Sequence, residues 1–557
     1  MPHNPNQSSS HLKRSAWSAL AAHRRTWHSP LRELFTANPQ RFQQFSTPAC
    51  GLLLDFSKNP LTTETIDLLV KLAEAHEIPG RLRDLFDGKA VNVSEKRPAW
   101  HTALRAGKSA PHPVQQSLAV MHEITQVLRA GAMLGSTGSP ITDVVSLGIG
   151  GSALGPQLVA AACTPHSHGT ATPRVHFVSN PSETFTQLLS QLDAAGTLFI
   201  VQSKSFNTQE TLHNARCARH WLQTALHRTQ VDAHFIAITA QTDAAVAFGI
   251  PRSQVLPLWN WVGGRYSLWS ATGLPAMIAM GNTQHDLLLA GAAAMDAHTH
   301  DMPLAQNMPV LLALIDIWEH LFWDIQSRAV VPYPHELSLL PAHLQQLSME
   351  SLGKGVRSNG KILRTHSGPL LWGGLGSESQ HSYFQWLHQG THTAAVDFIA
   401  CCEPTSPSDP TAYQAHTVML ANCFAQSALL MNGLTTNEVT AQLIAKGLSA
   451  RTAERQAPHQ THPGNRPSNT ILLPRLDAYS VGALIALYEH RTYILGVLLG
   501  VNAFDQWGVE HGKHLAKALE TEFNSPSPEN HFDSSTQGLI SHVRALQAAL
   551  STPTEHT

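Results

Sequence analysis

Long apolar runs are missing from this chain. No stretch reaches the roughly 18 uncharged apolar residues expected of a membrane-spanning helix. The two most apolar segments, 308–323 and 481–504, are broken by Asp316 and Glu319 and by Glu489 and Arg491. Both read as core helices. A charge excess is missing too: 37 Lys and Arg stand against 39 Asp and Glu. That balance argues against a general binder of nucleic acid or membrane surfaces. Cysteine is scarce and unpatterned. Cys50, Cys163, Cys217, Cys401, Cys402 and Cys423 show no CxxC spacing, so they read as buried, reduced thiols of a cytoplasmic protein, neither a disulfide framework nor a zinc site. Acid is absent from the beginning. The first carboxylate is Glu33, after Lys13, Arg14, Arg24, Arg25 and Arg32. The composition is that of a transit segment, but Trp17, Leu20, Ala21 and Trp27 fit a helix packed on a body, with residues before Ser15 as a loose tail.

Histidine, by contrast, is abundant at 34 residues. These are scattered, and pairs such as His298 and His300 fall in loop-like sequence without nearby Cys or an HExxH pattern. Solvated or singly bonded imidazoles are the reading, with no metal expected. The 557 residues suffice for two or three domains and a large core.

The most informative stretch is Ser203–Thr211. An apolar run, Thr197–Val201, precedes it and reads as a short buried strand, and Leu212, Ala215, Ala218, Trp221, Leu222 and Ala225 follow at helical spacing. Asn207 and Glu210 have capping-box spacing and place the helix start near Thr208. Such a start offers free N–H groups and a positive dipole end to a phosphate. Ser203, Ser205 and Thr208 add hydroxyls and Lys204 a charge. Taken alone, the stretch reads equally well as an ordinary capped helix.

Residues 1–115 read as mainly helical, with 52–60 a strand or loop, and 114–134 as a long amphipathic helix. A strand at Asp143–Leu147 leads into Gly148–Ser152 and a helix in which Pro156 suits the first position. This is strand, glycine turn, helix, the opening step of a doubly wound sheet. It is not a dinucleotide fingerprint, since position 153 is Ala, and no Gly-Lys-Ser/Thr closes a P-loop. Strands at 175–179 and 235–239 extend the alternation, which argues for a parallel sheet covered on both faces. A second α/β region follows over 365–500, with strands at 369–372 and 396–400 and no sequence repeat linking it to the first. Polar 455–468 reads as a loop, and 524–536 as a flexible connection to a last short helix.

Four further stretches carry chemistry-bearing groups: Asn260–Ser270 with Arg265, Gln345–Lys354 with Glu350, His388–Thr391, and Phe504–Lys513 with Gln506 and Lys513. Singly, each has a structural reading, because ion pairs and caps fix such residues as well. Together with 148–152, 203–211 and Gly464–Pro467, in this order and at these separations, they resemble the phosphoglucose isomerase family, from about Ser15 to the last helix. The Gly-Gly-Arg-Tyr-Ser and Phe-Asp-Gln-Trp-Gly-Val-Glu stretches are the most specific.

The resemblance implies an α/β fold of two sugar-isomerase (SIS), doubly wound parallel-sheet domains. The expected boundaries are an N-terminal helical segment over 1–115, sheets over 116–290 and 291–510, and a C-terminal helical arm over 511–557. It implies a cytoplasmic homodimer without cofactor that interconverts glucose 6-phosphate and fructose 6-phosphate, a step of glycolysis and gluconeogenesis. The phosphate falls to Ser203, Lys204, Ser205 and Thr208, with Gly151 and Ser152 lining the pocket. Glu350 corresponds to the base, Arg265 to the group that stabilises the enediolate, and His388 and Lys513 to the ring-opening pair. His388 is expected from the neighbouring subunit, and Gln346 and Gln506 at substrate-contacting positions. Departures from the family pattern are Ser348 where Asp is usual, Leu352 for Asn, Gly374 for Glu and His392 for Lys. They leave the reaction type in place and bear on rate. A dual glucose/mannose phosphate isomerase is the alternative among enzymes. A catalytically silent phosphosugar sensor is the alternative from another class; it would need neither Glu350 nor Arg265.

Overall fold

The computed structural model describes residues 5–164, 172–404, 409–525 and 532–551. They fall into two compact units, one up to Phe504 and one from Asp505.

The first unit opens with a helix, Pro5–Arg25. Residues 5–14, expected as part of a loose tail, therefore belong to a helix, and residues 1–4 lie outside the described residues. The packed-helix reading holds for Trp17, Leu20 and Ala21, whereas Trp27 lies past the helix end and packs on Trp323 from there. Leu20 is buried, Trp17 stacks on Phe322 at 5.6 Å, and the Arg24 guanidinium lies 3.8 Å over Trp323. The segment is not only helical, however. Ser46–Ala49 (β1) and Leu52–Asp55 (β2) form a hairpin. Cys50 and Gly51 turn it with φ of 52° and 81°, as two-residue hairpin loops require. Burial alternates along β2, with Leu52 and Leu54 facing the core.

The first sheet is built from Asp143–Leu147 (β3), Arg174–Val178 (β4), Thr197–Gln202 (β5), Phe235–Thr239 (β6) and Val255–Pro257 (β7). All pairings are parallel and the order is β4-β3-β5-β6-β7. Every residue of β3, β5 and β6 is buried, which explains their near-continuous apolar runs. The chain leaves β3 to one side for β4 and returns to its other side for β5. The crevice between β3 and β5 is thus a topological switch point, where open α/β sheets bind ligands.

The second sheet contains Ser327–Pro332 (β8), Leu370–Gly373 (β9), Ala395–Cys401 (β10) and Ser468–Leu473 (β11), in the order β1-β2-β11-β10-β8-β9. Its parallel part repeats the arrangement of the first sheet: β8 has β9 on one side and β10 on the other. The hairpin closes the remaining edge, β2 running antiparallel to β11. The halves share a topology that no sequence repeat reveals.

The charges that interrupt the apolar runs meet in the core. Arg491 donates to Asp316 at 2.6 and 2.7 Å and to Asp397 at 2.9 Å. Arg328 pairs with Asp397 at 2.6 Å, with Asp316 at 2.8 Å and with Glu319. All five are buried. Two guanidiniums face three carboxylates, and the surplus falls on Glu319. Burial pushes its carboxyl up to about 7, Asp316 and Asp397 adding to the rise against the pull of Arg328 and Arg491.

Some local expectations fail for identifiable reasons. Residues 450–460 form a helix, its start capped by Ser449 on the Thr452 N–H, so only 461–467 of the expected polar loop is one. Pro156 sits inside the helix Leu154–Cys163, not at its first position. His298 and His300 lie in the last turn of the helix Asn282–Asp301, where His298 Nε2 accepts from the Met308 N–H. Cys163, Cys401 and Cys423 are buried, but Cys402 is exposed.

The second unit consists of helices Trp507–Asn524 and Ser534–Ser551. The Arg544 guanidinium donates to the carbonyls of Phe523 and Ser525 at 3.0 and 2.7 Å, so a cation closes the carbonyl end of the first helix. Of the expected connection 524–536, residues 526–531 lie outside the described residues and 534–536 are helical. No described helix is long and apolar enough to cross a membrane.

Candidate active site

The loops after β3 and β5 emerge side by side at the first switch point, since Leu147 pairs with Val201. After β3 the chain makes a tight turn at Gly150–Ser152. A Cβ on Gly151 would lie 2.1 Å from the Gly264 carbonyl oxygen and 2.8 Å from the Arg265 nitrogen. Only glycine permits that approach, and through it the turn rests on the backbone that carries Arg265. A Cβ on the neighbouring Gly150 would lie 3.1 Å from Gln346 Nε2, so the helix Leu340–Leu352 reaches the same turn.

After β5 the hydroxyl-rich loop runs to a helix, Gln209–Leu226, with Thr208 at its N-cap. The expected capping box does not form. Thr208 makes no side-chain cap, and the Asn207 carboxamide oxygen accepts from Ser205 Oγ. Between them Phe206 takes a left-handed φ of 47°, its ring buried against Phe248 at 5.9 Å. This turn draws Asn207 away from the helix end. A helix start that Thr208 does not cap with its side chain suits an anion seat. Ser203 Oγ and Thr208 Oγ1 face each other at 3.0 Å.

Lys204 ties this loop to the next. Its ammonium donates to the carbonyls of Asn260 and Val262 at 2.9 and 2.6 Å, just before Arg265. Burial lowers the Lys204 pKa to about 8; Arg97 adds to the fall and Glu95 opposes it.

Arg265 lies on a short turn, Gly264–Tyr266, and is buried. Its Nε donates to Ser351 Oγ at 2.7 Å and its Nη2 to the Ala503 carbonyl at 2.7 Å. Its Nη1 lies 3.4 Å from Glu350 Oε2. Glu350 occupies the last turn of the helix Leu340–Leu352 and keeps 23% of its side chain exposed. A guanidinium locked by two hydrogen bonds therefore faces a carboxylate with an open side. Ser351 also meets the Tyr266 hydroxyl at 3.2 Å. The sequence reading gave no role to Ser351, although it adjoins Glu350; its signal is its place between a carboxylate and a buried leucine.

Ser348 and Leu352 face elsewhere. Both are buried and, with Asp316, Arg328 and Arg491, line a void of about 10 Å³. These two departures thus border the same void as the core ion network.

Gly151, Lys204, Arg265, Gln346 and Glu350 are thus brought together, with Ser152, Ser203, Ser205 and Thr208 on the same two loops. His388 is placed apart from them. It ends the helix Phe384–Gln389, is 8% exposed and shares a hydrogen bond of 2.7 Å between Nε2 and Gln426 Oε1. Its Nδ1 is buried without a partner among the described residues. Burial lowers the His388 pKa against the opposing bond to Gln426, and His462 and Arg466 add to the fall. Gln426 lies in mid-helix and carried no sequence signal. In the second unit, Gln506 stands just before the first residue of the helix that carries Lys513 and makes no side-chain cap, and the Lys513 ammonium pairs with Glu510 at 3.0 Å.

The chain is similar to known proteins over most of its length. The family model described as phosphoglucose isomerase matches residues 55–540. Glucose-6-phosphate isomerases of Pseudomonas savastanoi pv. phaseolicola and of Pseudomonas aeruginosa are each 46% identical to the chain over 541 residues, covering 95% of it and 97% of the relative. Among solved structures, a glucose-6-phosphate isomerase from Chlamydia trachomatis superposes with a TM-score of 0.79 at 28% identity, covering 95% of this chain and 98% of that one.

Proposed function

The chain belongs to the phosphoglucose isomerase family, and from that premise we propose that Glu350 and Arg265 carry out the aldose–ketose chemistry on a phosphosugar anchored at Ser203–Thr208. The protein interconverts D-glucose 6-phosphate and D-fructose 6-phosphate through ring opening and a cis-enediolate. The observation that carries the assignment of residues is the 3.4 Å approach of a buried, immobilised guanidinium to a part-exposed carboxylate.

An aldose–ketose shift moves a proton between adjacent carbons. One carboxylate can take it from C2 and return it at C1, so Glu350 suffices as both base and acid. The intermediate gathers negative charge on oxygen. Arg265 brings a guanidinium that is held in place beforehand, which stabilises that charge without reorganisation. The phosphate is remote from the reacting carbons. Its binding to the helix start, the loop hydroxyls and Lys204 orients C1 and C2 against Glu350, and Gly151, Ser152 and Gln346 complete the wall. Ring opening transfers a proton between the ring oxygen and a hydroxyl. His388 and Lys513 are assigned to it and Gln506 to substrate contact, on family resemblance. On the same resemblance His388 acts from the neighbouring subunit of a homodimer; its surroundings of Gln426, His462 and Arg466, none of them a group assigned to the Glu350 site, fit that reading.

The test is a coupled assay with fructose 6-phosphate in the presence of a chelator. Steady formation of glucose 6-phosphate is expected. Equal activity on mannose 6-phosphate would favour the dual-specificity alternative, and absence of turnover with intact binding would favour a sensor.

Lys204 offers a sharper check on the phosphate site. The dianion binds the ammonium form, and in the free enzyme that form is lost as pH rises through about 8. KM for fructose 6-phosphate is therefore expected to climb above pH 8 while kcat changes little, because bound phosphate favours the protonated lysine. Lys204→Ala should raise KM by about tenfold or more, in line with loss of a charged hydrogen bond, and flatten the rise of KM with pH. A fall in kcat with unchanged KM would contradict the anchoring role.

A further inference from the structure

Outside the catalytic region, His122, His285 and Asp286 converge from two helices. His122 belongs to the helix His112–Arg129, and the other two to the first turns of the helix Asn282–Asp301. One nitrogen of each imidazole and one oxygen of the carboxylate lie within 4.8 Å of one another. We propose that these three side chains form a binding site for a divalent transition ion of the zinc class, which joins the two helices.

The polar atoms at this place are otherwise badly served. His285 is 2% exposed, and its Nδ1 is buried with no hydrogen-bond partner among the described residues. His122 Nε2 lies 3.0 Å from Asp286 Oδ1, yet it is buried and makes no hydrogen bond of acceptable geometry. Two imidazole nitrogens without a hydrogen-bond partner, on histidines that converge with one carboxylate, are costly as a packing arrangement. As a ligand set they are satisfied at once. Two imidazoles and a carboxylate suit zinc and its neighbours in the first transition row and leave a position for water. Neither magnesium nor calcium, which prefer all-oxygen shells, fits as well.

The backbone around the three residues is already held. Asn282 Nδ2 donates to the His122 carbonyl at 3.1 Å, which ties the two helices beside the ligands. Arg129 Nη1 donates to the carbonyls of Ile278 and Ala279 at 3.0 Å each, which fixes the chain entering the second helix. Little ordering remains for an ion to impose. Asp286 also lines a cavity of about 590 Å³, bounded by Gln115, Leu118 and Leu289 among others. That cavity provides an entry path and room for the remaining water ligand. None of the residues assigned to catalysis lines it, so the ion acts on stability and not on the isomerase reaction.

The experiment titrates the intact protein with Zn²⁺ in a non-coordinating buffer, with Co²⁺ as the spectroscopic probe and melting temperature as a second readout. With 34 histidines, weak additional binding is expected everywhere, so the comparison is with His122→Gln and Asp286→Asn, both of part-exposed side chains. The parent should bind one ion more tightly than all others, show Co²⁺ absorption of low-symmetry coordination, and melt at a higher temperature with Zn²⁺. Each variant should bind that ion about tenfold more weakly or worse, lose the Co²⁺ signal and lose the thermal shift. Unchanged affinity and an unchanged Co²⁺ spectrum in both variants would overturn the proposal. So would a parent protein whose tightest site is no tighter than theirs.

Discussion

Glu350→Gln is expected to lower turnover by about 10²–10⁴-fold, the usual contribution of a positioned general base, while phosphosugar binding changes little. Glutamine fills the same space and still presents an oxygen to Arg265, so the turn Gly264–Tyr266 and its bonds to Ser351 and Ala503 have no cause to shift. It cannot, however, take a proton from C2. Three measurements separate loss of the base from loss of the site. Coupled turnover should collapse, calorimetric affinity for fructose 6-phosphate should stay within about threefold of the parent, and exchange of the C1 proton with deuterated solvent should cease. Turnover within tenfold of the parent would remove Glu350 as the base. Loss of affinity in step with turnover would mean that the carboxylate serves to hold Arg265 and not to move the proton.

The second large effect concerns stability. Asp397 accepts from both guanidiniums of the core network and also from Asn469 Nδ2 at 2.8 Å and the Tyr488 hydroxyl at 3.1 Å. Burial alone would raise its pKa, but Arg328 and Arg491, with the hydrogen bond from Asn469, outweigh it and hold the carboxyl at about 2. Its folded pKa is therefore below the unfolded value near 3.9. The stability it contributes, about 2–3 kcal/mol by linkage, is fully present above pH 5 and lost as pH falls toward 2. Asp397→Asn should cost about 3–5 kcal/mol at neutral pH, as breaking a buried pair does, and should reduce the acid sensitivity of unfolding. Glu319→Gln should behave differently. Its carboxyl is pushed up to about 7 by burial, so near neutral pH the folded state gains less from its charge, and the cost should be about 1 kcal/mol or less. Urea midpoints of the two variants, measured together at pH 7, test the contrast. Equal destabilisation would show that Glu319 is ionised like its neighbours.

These two sets of residues were unequally legible in the sequence. Strand, loop and helix around Gly148–Ser152 and Ser203–Thr211 follow from apolar runs, glycines and hydroxyls that are adjacent in the chain. Their meeting was also foreseeable, because β3 and β5 are neighbouring parallel strands at the switch point once the doubly wound pattern is accepted. The capping box was misread because spacing does not register the left-handed Phe206, which turns Asn207 toward Ser205. Arg265 and Glu350 could be named from family resemblance, but nothing local indicated that Gly151 must be bare for Gly264 to lie against it. Arg328, Arg491, Asp316, Asp397 and Glu319 looked like interruptions of apolar segments. Their mutual neutralisation depends on contacts between residues far apart in sequence. The hairpin was half legible for a related reason: 52–60 could be read as a strand or loop, but β1 is four residues long, too short for periodicity, and β2 is stabilised by a partner far along the chain.

That partnership has a consequence for the order in which the protein can be completed on the ribosome. Strand β2 bonds to β11, which is translated roughly 400 residues later. At about 5–20 residues per second, the hairpin waits roughly 20–80 s with its inner edge unpaired. An open strand edge is a template for pairing with other chains. The first sheet, whose strands all lie within one continuous stretch, faces no such delay. Nascent chains stopped before residue 468 should therefore hold a finished first sheet beside an exposed hairpin edge, and that edge is where holding chaperones would engage the growing protein.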